Sequence, residues 1–172
     1  LTPRQAGLVV TGSPNDASVN PETYVNLRNL ELDSAEKIIF PGFYGISPSG
    51  NIATFSRGGS DITGAILARG FNAELYENFT DVDAIFSANP AIVSHPEPIS
   101  KMTYREMREL SYAGFSVFHD EALIPAIQAQ IPVNVKNTQH PERPGTMIVP
   151  ETNFKAQHTI TGIAGRSEEH TS

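Results

Sequence analysis

The chain has 172 residues, the size of one domain or of part of a larger protein, and its 39% hydrophobic content is enough for an ordinary packed core. A net charge of −7 without a long basic run argues against a nucleic-acid partner. The absence of cysteine excludes disulfides and thiolate metal sites. The histidines, His95, His119, His140, His158 and His170, show no paired ligand spacing. No apolar run approaches a membrane span and no secretory leader pattern is present, so the expectation is a soluble, cytoplasmic protein with no membrane partner.

In chain order, Gly7-Leu8-Val9-Val10-Thr11 reads as a buried strand, and residues 11–20, rich in Gly, Ser, Asn and Asp, as a loop. Residues 21–32 suit a helix or an irregular segment. Lys37-Ile38-Ile39-Phe40, stopped by Pro41-Gly42, reads as a short strand and turn. Ser47-Pro48-Ser49-Gly50-Asn51 is a hairpin-like turn into a strand at 52–55. A helix is expected over 61–69, with Ile62, Ala65 and Ile66 on one face and Gly70 as its C-cap. Residues 74–79 read as a strand and 102–113 as a helix with Tyr104, Met107 and Leu110 inward. Residues 119–130 read as a helix, where Pro125 implies a kink or a late start. Strands close the pattern at 132–136 and 146–149. This alternation predicts an α/β fold with a largely parallel sheet. Residues 151–159 read as a linker, and 160–164 as the possible opening of another domain.

The densest chemistry lies in Arg57-Gly58-Gly59-Ser60-Asp61, between a strand and a helix. Glycines allow close backbone approach to a ligand, a helix N-terminus attracts anions, and Arg57 carries a fork of donors suited to carboxylate or phosphate. The plainer reading is a glycine turn capped by Ser60 or Asp61, with Arg57 on the surface. Three more segments place polar or aromatic groups at strand ends, where open α/β sheets bind ligands. They are Pro41-Gly42-Phe43-Tyr44-Gly45, Thr80-Asp81-Val82-Asp83, and Val133-Asn134-Val135-Lys136-Asn137-Thr138. Each taken alone also reads as an ordinary turn or a solvated strand end.

In this order and spacing the segments, with Tyr104-Arg105-Glu106-Met107, make the chain resemble aspartate kinases of the amino-acid kinase family, from about residue 7 to 149. The resemblance implies a three-layer α/β sandwich and transfer of the γ-phosphoryl group of ATP to the side-chain carboxylate of L-aspartate. That reaction is the first step of lysine, threonine and methionine biosynthesis. It implies that Arg57, Ser60 and the amides of Gly58 and Gly59 hold the substrate, that Phe43 walls its pocket, and that Asp61 orients groups at the transferring phosphate. Thr80, Asp81 and Phe86 would hold the nucleotide, and Mg2+ would be carried mainly by the ATP phosphates. The full-length protein would be a homo-oligomer with allosteric amino-acid effectors.

Two positions depart from the family pattern. Asn89-Pro90-Ala91 stands where Asp-Pro-Arg is usual, and Ser116 where a lysine is usual, so two cations expected near ATP are absent. No Lys-Phe-Gly-Gly loop precedes Gly7. Residues 1–150 are therefore expected to be an N-terminally truncated, C-terminal part of the catalytic domain. Residues 151–165 would be a linker and the first strand of a truncated ACT-type regulatory domain. Residues 166–172 resemble translated sequencing adapter and are read as a non-native tail, the alternative being a polar tail. Such a fragment is expected to be inactive alone. The alternatives are another kinase of the same fold, or a non-catalytic nucleotide-binding domain derived from one.

Overall fold

The computed structural model describes residues 1–31, 37–114, 121–151 and 160–164. Its elements are α1 (Pro3–Ala6), β1 (Val10–Ser13), β2 (Asp16–Val19), α2 (Glu22–Arg28), β3 (Tyr44–Ile46), β4 (Ile52–Thr54), α3 (Gly59–Gly70), β5 (Tyr76–Thr80), β6 (Lys101–Thr103), α4 (Tyr104–Tyr112), α5 (Ile124–Gln128), β7 (Val133–Asn137) and β8 (Thr146–Val149). The chain divides into two units, Leu1–Tyr76 with Glu121–Ile131, and Glu77–Asp120 with Pro132–Ser172. No helix among the described residues is long and apolar enough to cross a membrane.

The first unit is built on a cluster of Leu8, Val10, Tyr24, Leu27, Phe55 and Ile66, all buried. Each such large apolar side chain contributes about 1.5–3 kcal/mol through burial. Helix α1 opens with a capping box in which Thr2 and Gln5 satisfy each other's backbone N–H groups. Residues 11–20, expected as loop, instead form the antiparallel hairpin β1–β2, paired from Val10↔Val19 to Ser13↔Asp16. Only Val10 and Ala17 of this hairpin are buried, so no apolar alternation marked it in the sequence. The expected hairpin-like turn at 47–51 forms, joining the strand at 52–54 to β3, which was not expected as a strand, with Ser47 N–H donating to Asn51 O at 2.8 Å.

Residues 37–40 do not form the expected strand, and Ile39 is 86% exposed. Among the described residues no neighbouring strand offers a ladder to this run. Helix α3 turns Ala65, Ile66 and Ala68 inward. Gly70 is its last helical residue and not a left-handed cap; Phe71 follows as C-cap. A side chain at Gly70 would meet Leu27, with Leu27 Cβ only 2.8 Å from the added Cβ, so this glycine serves the packing of α2 on α3. Helix α5 starts late, at the turn containing Pro125. Residues 119 and 120 of the longer expected helix lie outside the described residues.

The second unit carries a four-stranded sheet in the order β5-β7-β8-β6. Strands β6 and β8 run parallel, whereas β7 and β8 run antiparallel. The α/β class is as expected and the sheet is mixed. Residues 138–145 connect β7 to β8 too briefly for the crossover that a parallel pair requires. Val133, Val135, Met102 and Ile148 are fully buried at its centre. The buried Thr146 hydroxyl accepts from Ile85 N–H at 2.8 Å and donates to Ile99 O at 2.6 Å, tying the 84–87 run to the sheet. Strand β6, missed in the sequence, leads directly into α4 through a Thr103–Glu106 capping box. Residues 160–164 carry no strand; Ile163 N–H donates to Ser87 O at 2.8 Å.

Candidate active site

In the first unit, Arg57 to Asp61 lie at the junction of β4 and α3. Gly58 is the N-cap, with φ 82°, a conformation in which an L side chain is strained. Neither Ser60 nor Asp61 caps the helix, since no side chain makes a cap hydrogen bond there. The first bond of the helical ladder runs from Ile62 N–H to Gly58 O at 3.0 Å, and the amides of Gly59 and Ser60 lie ahead of it. This is the arrangement by which a helix start attracts an anion. Arg57 is exposed and forms no ion pair among the described residues. Ser60 is exposed and Asp61 half-buried.

Phe43 comes to the same turn from the segment before β3. Its backbone is left-handed at φ 84°, a costly state for a bulky residue and one that clusters at functional sites. Its N–H donates to Thr63 Oγ1 at 2.9 Å, and its carbonyl accepts from Phe55 N–H at 2.9 Å. Phe43 is 47% exposed and its ring lies against Gly59: a Cβ there would stand 3.1 Å from Phe43 Cγ. From the end of the unit, Tyr76 donates its hydroxyl to Asp61 O at 3.2 Å. Gly64 makes room for that ring, since its Cβ would come within 2.7 Å of Tyr76 Cζ. Phe43, Gly58, Gly59 and Ser60 are thus gathered at one helix start with Arg57 and Asp61 beside them. Thr63 and Tyr76, which support this turn, were not singled out in the sequence.

In the second unit, Thr80 and Asp81 sit where β5 ends. Thr80 Oγ1 donates to Asp81 Oδ1 at 3.2 Å. The Thr80 carbonyl accepts from Thr138 N–H at 2.8 Å and from Thr138 Oγ1 at 3.1 Å. Asp83 accepts from Asn137 Nδ2 at 2.7 Å, and its other oxygen pairs with Arg143. The loop after β5 is thereby fastened to the loop after β7. Lys136 Nζ lies 3.5 Å from Glu77 Oε1 and 5.7 Å from the Phe79 ring centroid. Phe86 is held separately, in the run bridged to Pro98. Lys136, Asn137 and Thr138 were visible as a motif; Arg143, sixty positions from Asp83, carried no signal.

Ala91 is exposed in a turn organised by Asn89, whose Oδ1 accepts from Ala91 N–H at 2.9 Å. Ser116 lies outside the described residues. Among the described residues no group of three or more His, Asp or Glu could hold a metal ion.

Comparisons with known proteins identify the family and the fold. The sequence profile of the amino acid kinase family matches residues 1–137. Aspartokinase 3 of Bacillus subtilis is 58% identical over 165 residues, 95% of this chain and 36% of that protein. The crystal structure of Clostridium acetobutylicum aspartate kinase aligns with a TM-score of 0.84 at 42% identity, over 95% of this chain and 37% of that one. Two structures of E. coli aspartokinase III, one with aspartate and ADP and one with lysine and aspartate, align with TM-scores of 0.78 at 29% identity, over 89% of this chain and 35% of theirs. The chain therefore spans between 35% and 37% of the length of these relatives. On its sequence, fold and the profile match across most of its length, the chain belongs to the amino acid kinase family.

Proposed function

We propose that the full-length protein carrying this chain is an aspartokinase, which phosphorylates the side-chain carboxylate of L-aspartate with ATP. The observation that carries this reading is the turn at α3. There a strained, half-exposed aromatic, two glycine amides and an arginine with no carboxylate partner among the described residues meet at a helix start. Such a turn suits a small dicarboxylic amino acid, and the similarity to aspartokinases supports that choice.

The acceptor carboxylate, with an ordinary pKa of about 3.9, is already ionised at neutral pH, so no base is needed to remove a proton. Its oxygen bonds to the γ-phosphorus as the bond to the β,γ-bridging oxygen breaks, and ADP leaves with that electron pair. The protein's task is positioning and charge neutralisation. Arg57 pairs with a substrate carboxylate, assisted by Ser60 and the amides of Gly58 and Gly59, and Phe43 walls the pocket. Asp61 orients groups near the transferring phosphate. Thr80 and Asp81, at a strand end, hold the nucleotide, with Phe86 beside the base or ribose. Mg2+ would neutralise phosphate charge and would be carried mainly by the nucleotide.

The reading extends to a cytoplasmic, homo-oligomeric enzyme of lysine, threonine and methionine biosynthesis, regulated by an amino-acid effector through an ACT-type domain that begins near residues 151–165. Residues 1–150 are then the C-terminal part of the catalytic domain. The 172 residues alone are inactive, because their sequence carries no Lys-Phe-Gly-Gly loop for the γ-phosphate. A second reading, a related kinase or a nucleotide-binding domain without catalysis, is favoured by Ala91 and Ser116 standing where the family pattern has two cations near ATP. Aspartate-dependent ADP formation, measured on the 172 residues and on the full-length protein, separates these readings. Turnover confined to the full-length protein supports the proposal, and ADP formation indifferent to aspartate defeats it.

A further inference from the structure

We infer that Thr63 is a positioning residue for the amino-acid substrate, acting through Phe43; the inference rests on the aspartokinase reading. Thr63 is 2% exposed and one turn inside α3, so it is not open to a ligand. Its hydroxyl works in both directions at once. It accepts from Phe43 N–H at 2.9 Å and donates to Gly59 O at 2.7 Å. One atom therefore fixes the backbone of the aromatic wall relative to the backbone of the glycine turn.

This link is needed because Phe43 occupies the left-handed region, at φ 84°, and would leave it if unconstrained. Its carbonyl is held by Phe55 N–H, and Phe55 is 2% exposed in the core. The Thr63 hydroxyl holds the other side of the residue. With both polar backbone groups engaged, the ring is presented against Gly59 while the residue as a whole stays 47% exposed. The Gly59 carbonyl also accepts from the hydroxyl four residues on, a local back-bond that threonine forms readily in helices. Only a hydroxyl donates and accepts in this way. Valine keeps the shape and loses both bonds, whereas serine keeps both bonds and loses a methyl.

The test compares Thr63→Val and Thr63→Ser in the full-length protein. Thr63→Val is expected to raise the aspartate KM by about tenfold, mainly through loss of the buried hydrogen bond that holds Phe43, with the ATP KM unchanged. Thr63→Ser is expected to restore the aspartate KM to near the wild-type value. A general structural defect would move both KM values or neither, and serine would not correct one of them selectively. Equal aspartate KM values in wild type and Thr63→Val overturn the inference. Hydrogen–deuterium exchange of the peptide containing Phe43 gives a second readout. The Phe43 amide is expected to be protected in wild type and Thr63→Ser, and to exchange freely in Thr63→Val. If Thr63→Val does not fold, an unprotected Phe43 amide in the wild type still overturns the inference. Wild-type protein that forms no acyl phosphate from aspartate defeats the aspartokinase reading, and the exchange then decides separately whether Thr63 holds Phe43.

Discussion

Phe43 and Gly59 are fitted to each other: the ring lies so close that a Cβ on Gly59 would stand 3.1 Å from Cγ and 3.2 Å from Cδ2. The strained aromatic cannot shift toward the helix, and the glycine cannot be replaced without moving it. Gly59→Ala is therefore expected to displace the ring by a few tenths of an ångström and to lower kcat/KM for aspartate by about 10- to 100-fold, as small misplacements of substrate do. Steady-state kinetics on the full-length protein check this; an unchanged kcat/KM would show that the ring does not touch the substrate.

Arg57→Ala is expected to weaken aspartate use far more than ATP use. A carboxylate pair desolvated by substrate loses about 2–5 kcal/mol when its arginine is removed. Arg57→Lys should recover part of the loss, since a lysine gives charge without the two-pronged geometry. Aspartate and ATP titrations of the two variants decide it. Equal losses toward both substrates would remove Arg57 from the acceptor site.

Asp83 ties the loops after β5 and β7 together through Asn137 and Arg143, on the side proposed to hold the nucleotide. Asp83→Asn is expected to raise the ATP KM by about three- to tenfold, the range of one or two weakened hydrogen bonds, and to leave the aspartate KM unchanged. Thermal stability should change little, because the Arg143 side chain is 51% exposed and exposed pairs contribute about 0–1 kcal/mol. Thermal melts beside ATP titrations separate the two effects.

The junction that carries Arg57 to Asp61 was legible because a strand, two glycines and a helix follow one another locally. So was the hairpin turn at residues 47–51. Legible too, though passed over, were the two capping boxes, Thr2 with Gln5 and Thr103 with Glu106, which open α1 and α4. What the sequence hid was non-local. The apolar run at 37–40 looks like a strand, yet strand formation depends on a partner edge elsewhere. The hairpin of β1 and β2 is held by its backbone ladder with little apolar pattern to announce it. Thr63 is an ordinary helix-interior threonine until Phe43, twenty positions earlier, is seen to meet it. Gly70 carried the signature of a cap and is there for Leu27.

Ala91→Arg is expected to tighten ATP binding in the full-length protein, since it returns a cation to the turn where the family pattern has one. The turn is exposed and its hydrogen bond uses the Ala91 backbone, so the longer side chain is accommodated. ATP titration of the variant measures the gain. Unchanged affinity would mean that other cations already neutralise the phosphates.

Glu106 gives a pH prediction. Burial raises its pKa, but hydrogen bonds from the Thr161 hydroxyl, the Thr103 amide and the Thr103 hydroxyl together hold it below the ordinary 4.5. The folded state therefore favours the ionised form. Its stabilising effect is complete above 4.5 and is lost as pH falls through the lowered folded value. Chemical denaturation between neutral and acid pH should show this loss, and Glu106→Gln should flatten that part of the profile. An identical acid limb in the variant would remove Glu106 as its source.

The most direct test of the aspartokinase reading is to trap the product. Full-length protein incubated with ATP, Mg2+ and L-aspartate in the presence of hydroxylamine should yield aspartyl hydroxamate in step with ADP, because an acyl phosphate reacts with hydroxylamine, and Arg57→Ala should abolish both signals at low aspartate. ADP formation without hydroxamate, or hydroxamate formation that Arg57→Ala leaves intact, would contradict the assignment of this turn as the acceptor site of an aspartate kinase.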